Sequence, residues 1–195
     1  MLKNIEMIFS ELDKQLMRKK LKLNVICAGG YVLKHYGIRE TRDIDGFYNS
    51  TPEIRDIIST IGNKYKINQE SELWLNNSVQ NLNDKPPESI CELVYEGTNL
   101  KIFIPPLEYI AGMKLRSERG LDIRDVAYII SYKKIKEPKS FKLQLEKYGF
   151  SDVDDSLILE AFSEAYGLEW LEKYYVREEN EFLASIQNIS SKDND

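Results

Sequence analysis

The sequence predicts an α+β chain in which an α/β half precedes a helical half, with the boundary near residue 105. Three observations predict it: apolar strand-like runs interleaved with amphipathic helices up to Ile104, the Pro105-Pro106 pair that stops the last strand, and helical spacing from Leu107 onward. No internal repeat and no low-complexity linker interrupts this order.

Taken in order, Ile5, Ile8, Leu12 and Leu16 recur at three- and four-residue spacing, which predicts an amphipathic helix over residues 4–19. Lys22 to Ala28 reads as a strand ended by Gly29-Gly30, then a short helix runs to Tyr36 with Gly37 as its C-cap. Asp43 to Tyr48 is a second strand, and Pro52 opens a helix reaching about Tyr65. Residues 66–89 are polar and turn-rich apart from Leu73, Trp74 and Leu75. Strands over 90–96 and 99–104 form a hairpin through Glu96-Gly97-Thr98. Beyond them, helices are predicted over 107–118, 122–132, about 138–147 and 152–175. The expected division is thus a core over 1–105, a helical region over 106–176, and a flexible tail over 177–195.

Composition narrows the function. The 195 residues are 42% hydrophobic and 30% charged, an ordinary folded composition. No apolar run approaches the ~20 residues of a membrane-spanning helix, so no membrane partner is expected. The N-terminus mixes charged and apolar residues (Lys3, Glu6, Glu11, Lys14), unlike a signal peptide. Cys27 and Cys91 lie in apolar runs and read as buried thiols in a reducing, cytoplasmic setting. A net charge of −5 disfavours broad backbone gripping of duplex nucleic acid, although Lys133, Lys134 and Lys136 form a local basic patch. One histidine, His35, leaves no room for His-rich zinc designs. It is expected at the surface or in packing.

The chemistry gathers at Ala28-Gly29-Gly30 and, twelve residues on, Asp43-Ile44-Asp45. A glycine pair between strand and helix admits close backbone approach by a triphosphate, and the helix start offers unpaired N–H groups. Residues two apart on a strand share a side, so Asp43 and Asp45 can face one cation. Carboxylates with substrate phosphates are the ligands Mg²⁺ prefers. Each half is weak alone, since glycine pairs are commonly turns and paired aspartates can be edge charges; the spacing makes the combination specific.

The string Gly29-Gly30…Arg39-Glu40-Thr41-Arg42-Asp43-Ile44-Asp45 resembles the signature of the nucleotidyltransferase superfamily related to DNA polymerase β. Its Arg-x-Thr-x-Asp-x-Asp form is similar to one branch, the AbiEii-like bacterial toxins and related nucleotidyltransferase-like proteins. A second block agrees: Met113-Lys114-Leu115, Arg119, Asp122, Asp125 and Val126, with Trp74-Leu75-Asn76 typical of the same relatives. The resemblance covers residues 20–130. It implies a polymerase-β-like nucleotidyltransferase core, a mixed sheet with flanking helices, plus a C-terminal helical region. It further implies that Mg²⁺ or Mn²⁺ on Asp43 and Asp45 assists transfer of a nucleoside monophosphate from an NTP. Gly29, Gly30, Arg39 and Thr41 would bind the nucleotide, and Lys114 would neutralise charge as a catalytic residue. RNA (tRNA among them) or protein is the implied acceptor, a toxin–antitoxin or phage-defence system the setting, and a cognate antitoxin a partner.

Two features depart from the pattern. Gly46 stands where an apolar residue is usual, and the third carboxylate of active relatives has only Glu92 or Glu96 as candidates. Those two share a parity on their strand. If neither reaches the metal, the domain is a catalytically inactive binding protein; antibiotic-modifying nucleotidyltransferases, which share the core, are the other alternative. Several residues keep two readings. Asp122 and Asp125 also read as N-cap and N3 acid of a helix opening at 123. Lys114 on an apolar stripe also reads as a snorkelling surface lysine. Arg39 pairs with an aspartate or touches phosphate. The aromatic residues at 166, 170, 174 and 175 follow helical spacing and are expected in the core.

Overall fold

A computed structural model describes residues 4–69, 72–81, 83–117 and 120–192. It divides into two compact units, residues 1–113 and 114–195. The division falls eight residues beyond the expected 105, inside a helix over Leu107–Ser117.

In the first unit the order is α1 (Ile5–Arg18), β1 (Leu23–Ala28), α2 (Gly29–His35), β2 (Ile44–Phe47), α3 (Pro52–Tyr65), β3 (Leu75–Asn76), β4 (Glu92–Glu96), β5 (Leu100–Ile104) and the start of α4 (Leu107–Ser117). The five strands form one mixed sheet in the order β3-β2-β1-β5-β4. β1 sits at its centre, antiparallel to β2 and parallel to β5. Its residues from Val25 to Ala28 are all buried, as expected for a strand flanked on both sides. α1 turns Ile8, Phe9, Leu12 and Leu16 inward, and Phe9 meets the rings of Tyr31, Trp74 and Tyr95. α3 starts as its sequence requires: the Thr51 hydroxyl accepts from the Ile54 amide, and Pro52 occupies the first turn. The expected hairpin is present, with β4 antiparallel to β5. Asp13 of α1 holds its turn by accepting from the Thr98 and Asn99 amides.

Gly46 has a packing reason. It pairs with Cys27, and a Cβ there would lie 2.6 Å from Val25 Cγ1, so the apolar residue usual at this position would collide with the central strand. Removing the side chain lets β2 lie close to β1.

The second unit holds the end of α4, then α5 (Gly120–Lys133), α6 (Pro138–Lys147), α7 (Asp155–Tyr166) and α8 (Leu168–Lys192). α7 is its hub and packs against α5, α6 and α8. Fully buried Ile129, Ile130, Phe141, Leu145, Ala161 and Phe162 fill the interior. Three expectations change here. The single helix over 152–175 is two helices, broken at Gly167, whose φ of +87° ends α7 in a conformation that favours glycine. The segment from Arg177, expected as a tail, continues α8 to Lys192. Tyr166, Trp170 and Tyr174 are half-buried rather than core, and Tyr175 is exposed. They form a stack at the surface of α7 and α8, with Trp170 parallel to both Phe162 and Tyr174 at 5.2 and 5.4 Å. Among the described residues, no helix is long and apolar enough to cross a membrane.

Candidate active site

The site lies at the end of β1 where the chain turns into α2. Gly29 adopts φ +56°, which a side chain would strain, and a Cβ there would sit 2.9 Å from Asp45 Oδ2. At Gly30 a Cβ would lie 2.9 Å from the Thr41 hydroxyl and 3.2 Å from Arg39 Nη2. The two glycines therefore let Asp45, Thr41 and Arg39 close in on the backbone of the turn. Residues read from one stretch of sequence as nucleotide-binding and from another as metal-binding meet around it.

Asp45 is on β2 directly opposite Ala28 of β1, which fixes its carboxylate beside the glycine turn. Asp43 precedes the first strand residue, Ile44, in a bend rather than in the strand itself. Its Oδ1 accepts from the Thr41 hydroxyl at 2.9 Å and its Oδ2 from the Gln69 amide at 3.4 Å. Asp45 Oδ1 accepts from the Ser78 hydroxyl at 3.1 Å. Both aspartates are partly open to solvent. Arg39 also donates through Nη1 to the Glu40 carbonyl, and Glu40 ion-pairs with Lys34.

Gln69 and Ser78 are absent from the residues that the sequence singles out. Both belong to the polar, turn-rich stretch after α3, where a functional glutamine or serine has no local signature. Trp74 is the one hint there, and it is fully buried with its indole N–H donating to the Ile58 carbonyl at 2.9 Å.

Glu92 and Glu96 lie elsewhere on the sheet. β4 is the far edge strand, three strand spacings or about 14 Å from β2. The register shifts between Leu93 and Tyr95, so Glu92 pairs with Ile104 and Glu96 with Lys101. The inserted residue breaks the shared parity expected of Glu92 and Glu96, and places them on opposite faces. Glu96 is bonded to Lys101 at 2.8 Å. On the face that carries Asp45, the neighbouring strands present Ile26, Ala28 and Phe103, which form an apolar cluster with Phe47. Neither glutamate joins the paired aspartates. Among the described residues, no three His, Cys, Asp or Glu side chains gather closely enough to hold a metal ion. Asp43 and Asp45 are the pair around which a divalent cation could bind together with substrate phosphates.

Lys114, Asp122 and Asp125 form a compact ionic cluster of their own in the second unit. The Lys114 ammonium lies 2.6 Å from a carboxylate oxygen of each aspartate, and the Ser117 hydroxyl donates to Asp122 at 2.5 Å. Lys114 and Asp125 expose only 11% and 8% of their side chains, which rules out the snorkelling surface role. Asp122 lies within α5, which begins at Gly120, so it is not the cap of a helix opening at 123. Arg119 lies outside the described residues. His35 is exposed, edge-on to Tyr36. Cys27 is fully buried, and burial together with the nearby Asp45 charge pushes its thiol far above the ordinary range. Cys91, half-buried one residue before β4, is pushed by burial to about 11.

Residues 3–170 match a protein family described as a nucleotidyltransferase of unknown function (DUF6036). The chain belongs to this nucleotidyltransferase family. The match extends into both units, so α5, α6 and α7 are part of the family's shared architecture and not an unrelated appendage. The mixed sheet with its flanking helices agrees with a nucleotidyltransferase core. No curated protein and no solved structure shows significant similarity to the chain.

Proposed function

We propose that this member of the nucleotidyltransferase family moves a nucleoside monophosphate from an NTP to a hydroxyl of RNA, tRNA included, or of a protein. The observation that carries the reading is Asp45 set against the glycine turn at Gly29-Gly30, with Asp43 tied to the same wall through the Thr41 hydroxyl. A turn with no side chains of its own suits close approach by a triphosphate, and two partly exposed carboxylates near it suit a hard divalent cation. Mg²⁺ or Mn²⁺ held there would supply positive charge to the phosphates. The protein's own groups do the rest. Gly29 and Gly30 admit the phosphate chain, Arg39 and Thr41 line it, and Asp43 and Asp45 fix the cation. The acceptor oxygen bonds to the α-phosphorus, its link to the β-phosphate breaks, and pyrophosphate departs while the hydroxyl proton passes to water.

The AbiEii-like string Arg39-x-Thr41-x-Asp43-x-Asp45 supports a toxin of a toxin–antitoxin or phage-defence system, partnered by an antitoxin. Lys114 is assigned charge neutralisation on the same resemblance. Incubation with each labelled NTP, RNA and cell extract tests the reading. Transfer that is present in wild type and lost in Asp45→Asn at equal soluble yield is the expected result; equal labelling by both would remove the assignment. A second reading, nucleotide binding without turnover, is favoured by the remoteness of Glu92 and Glu96 on the edge strand. It predicts an NTP-dependent thermal shift with no label transferred.

A further inference from the structure

The described residues between α3 and the end of β3, 66–69 and 72–76, are anchored far more firmly than their polar sequence implies. Asn68 binds α3 through its amide, donating to the Ser59 carbonyl at 3.2 Å and to Asn63 Oδ1 at 2.9 Å, while its own Oδ1 accepts from the Trp74 amide at 3.2 Å. Gly62 makes room for it, since a Cβ there would overlap Asn68 Oδ1 at 1.9 Å. The Trp74 carbonyl in turn accepts from the Ile44 amide at 2.7 Å, between the two aspartates in sequence. β3 then pairs Asn76 with Asp45, and Asn76 Oδ1 accepts from the Ser78 amide at 3.0 Å, setting the serine over the carboxylate.

From this chain of contacts we infer that residues 68–69 and 72–78 position the two metal-binding carboxylates as a strap, with Ser78 as its working end and Gln69 as its second arm. Ser78 donates to Asp45 Oδ1 and Gln69 to Asp43 Oδ2. Neither hydrogen bond adds charge, so each orients an ionised carboxylate without competing for the cation. Outer hydrogen bonds of this kind tune how tightly a metal is held. Both donors are exposed, so their role is not to fill the core. The inference rests on the metal-dependent reading above.

The test is Mn²⁺ uptake by the full chain, followed from the electron paramagnetic resonance signal of free Mn²⁺, beside thermal unfolding without metal. Ser78→Ala is expected to raise the half-saturating Mn²⁺ concentration by roughly tenfold, with the metal-free melting temperature unchanged. Ser78→Thr, which keeps the hydroxyl, restores uptake, and Gln69→Ala gives a smaller loss in keeping with its longer bond. Wild-type uptake with Ser78→Ala indistinguishable from it overturns the strap and leaves the metal reading intact. A lowered melting temperature with unchanged uptake also overturns it, because that is a purely structural role. Wild type and Asp45→Asn that both take up no Mn²⁺, alone or with NTP, overturn the metal reading and the strap together.

Discussion

Gly29 and Gly37 provide a matched pair for testing whether the glycine turn serves the site. Both sit in the left-handed region, at φ +56° and +69°. Alanine at either position is therefore strained by about 1–2 kcal/mol. They differ in surroundings: a Cβ at Gly37 meets nothing within 4 Å, while one at Gly29 lies 2.9 Å from Asp45 Oδ2. Ordinary contact begins near 3.4 Å, so the carboxylate in Gly29→Ala must retreat by about half an ångström from the position the turn allots it. For a chain of this size each kcal/mol shifts the melting temperature by about 2–4 °C. Both variants should thus melt about 2–8 °C below wild type. Gly37→Ala should retain the full stabilisation given by NTP with Mg²⁺, and Gly29→Ala should lose most of it. The assay is thermal unfolding of three proteins with and without NTP and Mg²⁺. If Gly29→Ala keeps the wild-type ligand shift, the turn and Asp45 do not act together and the reasoning fails.

Other outcomes rest on single contacts. Gly46→Val forces a side chain against Val25 and should cost about 1–3 kcal/mol in urea unfolding; no loss would mean that β2 slides away freely. Lys114→Met leaves Asp122 and Asp125 mutually repelling and nearly buried, at about 3–5 kcal/mol. Activity of that variant must be compared at equal folded concentration, and an unaltered unfolding midpoint would contradict the cluster's burial. Because thiolate is the reactive form, native Cys91 should alkylate slowly at neutral pH and accelerate up to about pH 11, whereas Cys27 reacts only on unfolding. Labelling that levels off near pH 9, or that reaches Cys27 in the native state, would refute this.

The helices and principal strands are legible in the sequence because each announces itself locally. Ile8, Leu12 and Leu16 mark α1 by spacing, and Thr51-Pro52 marks the start of α3 by capping. The nearness of the candidate site residues is legible too, since the pairing of β1 with β2 draws Asp45 to Gly29-Gly30, and Thr41 and Asp43 lie just ahead of β2. The hidden features depend on partners. The shift at Val94 that separates Glu92 from Glu96 exists only in the register against β5. β3 is two residues long and is defined by its pairing with β2, not by any run of its own. Ser78 and Gln69 acquire meaning only from the carboxylates they meet. The break at Gly167 is masked because Tyr166, Trp170 and Tyr174 keep a four-residue rhythm across it.

The sheet order also bears on how the protein is made. β1 carries the glycine turn, yet one of its two neighbours arrives late: Leu23 pairs with Leu100, whereas Ile26 and Phe47 meet soon after synthesis. Until the ribosome has released β5, an apolar strand is left with a raw edge, open to wrong partners. The pairing that closes this edge is nonlocal and correspondingly slow to form. A nascent chain stopped before residue 100 would already contain every residue of the glycine–aspartate turn but not the strand that pairs with β1 on its other side, so the sheet around the turn is complete only once β5 has been made.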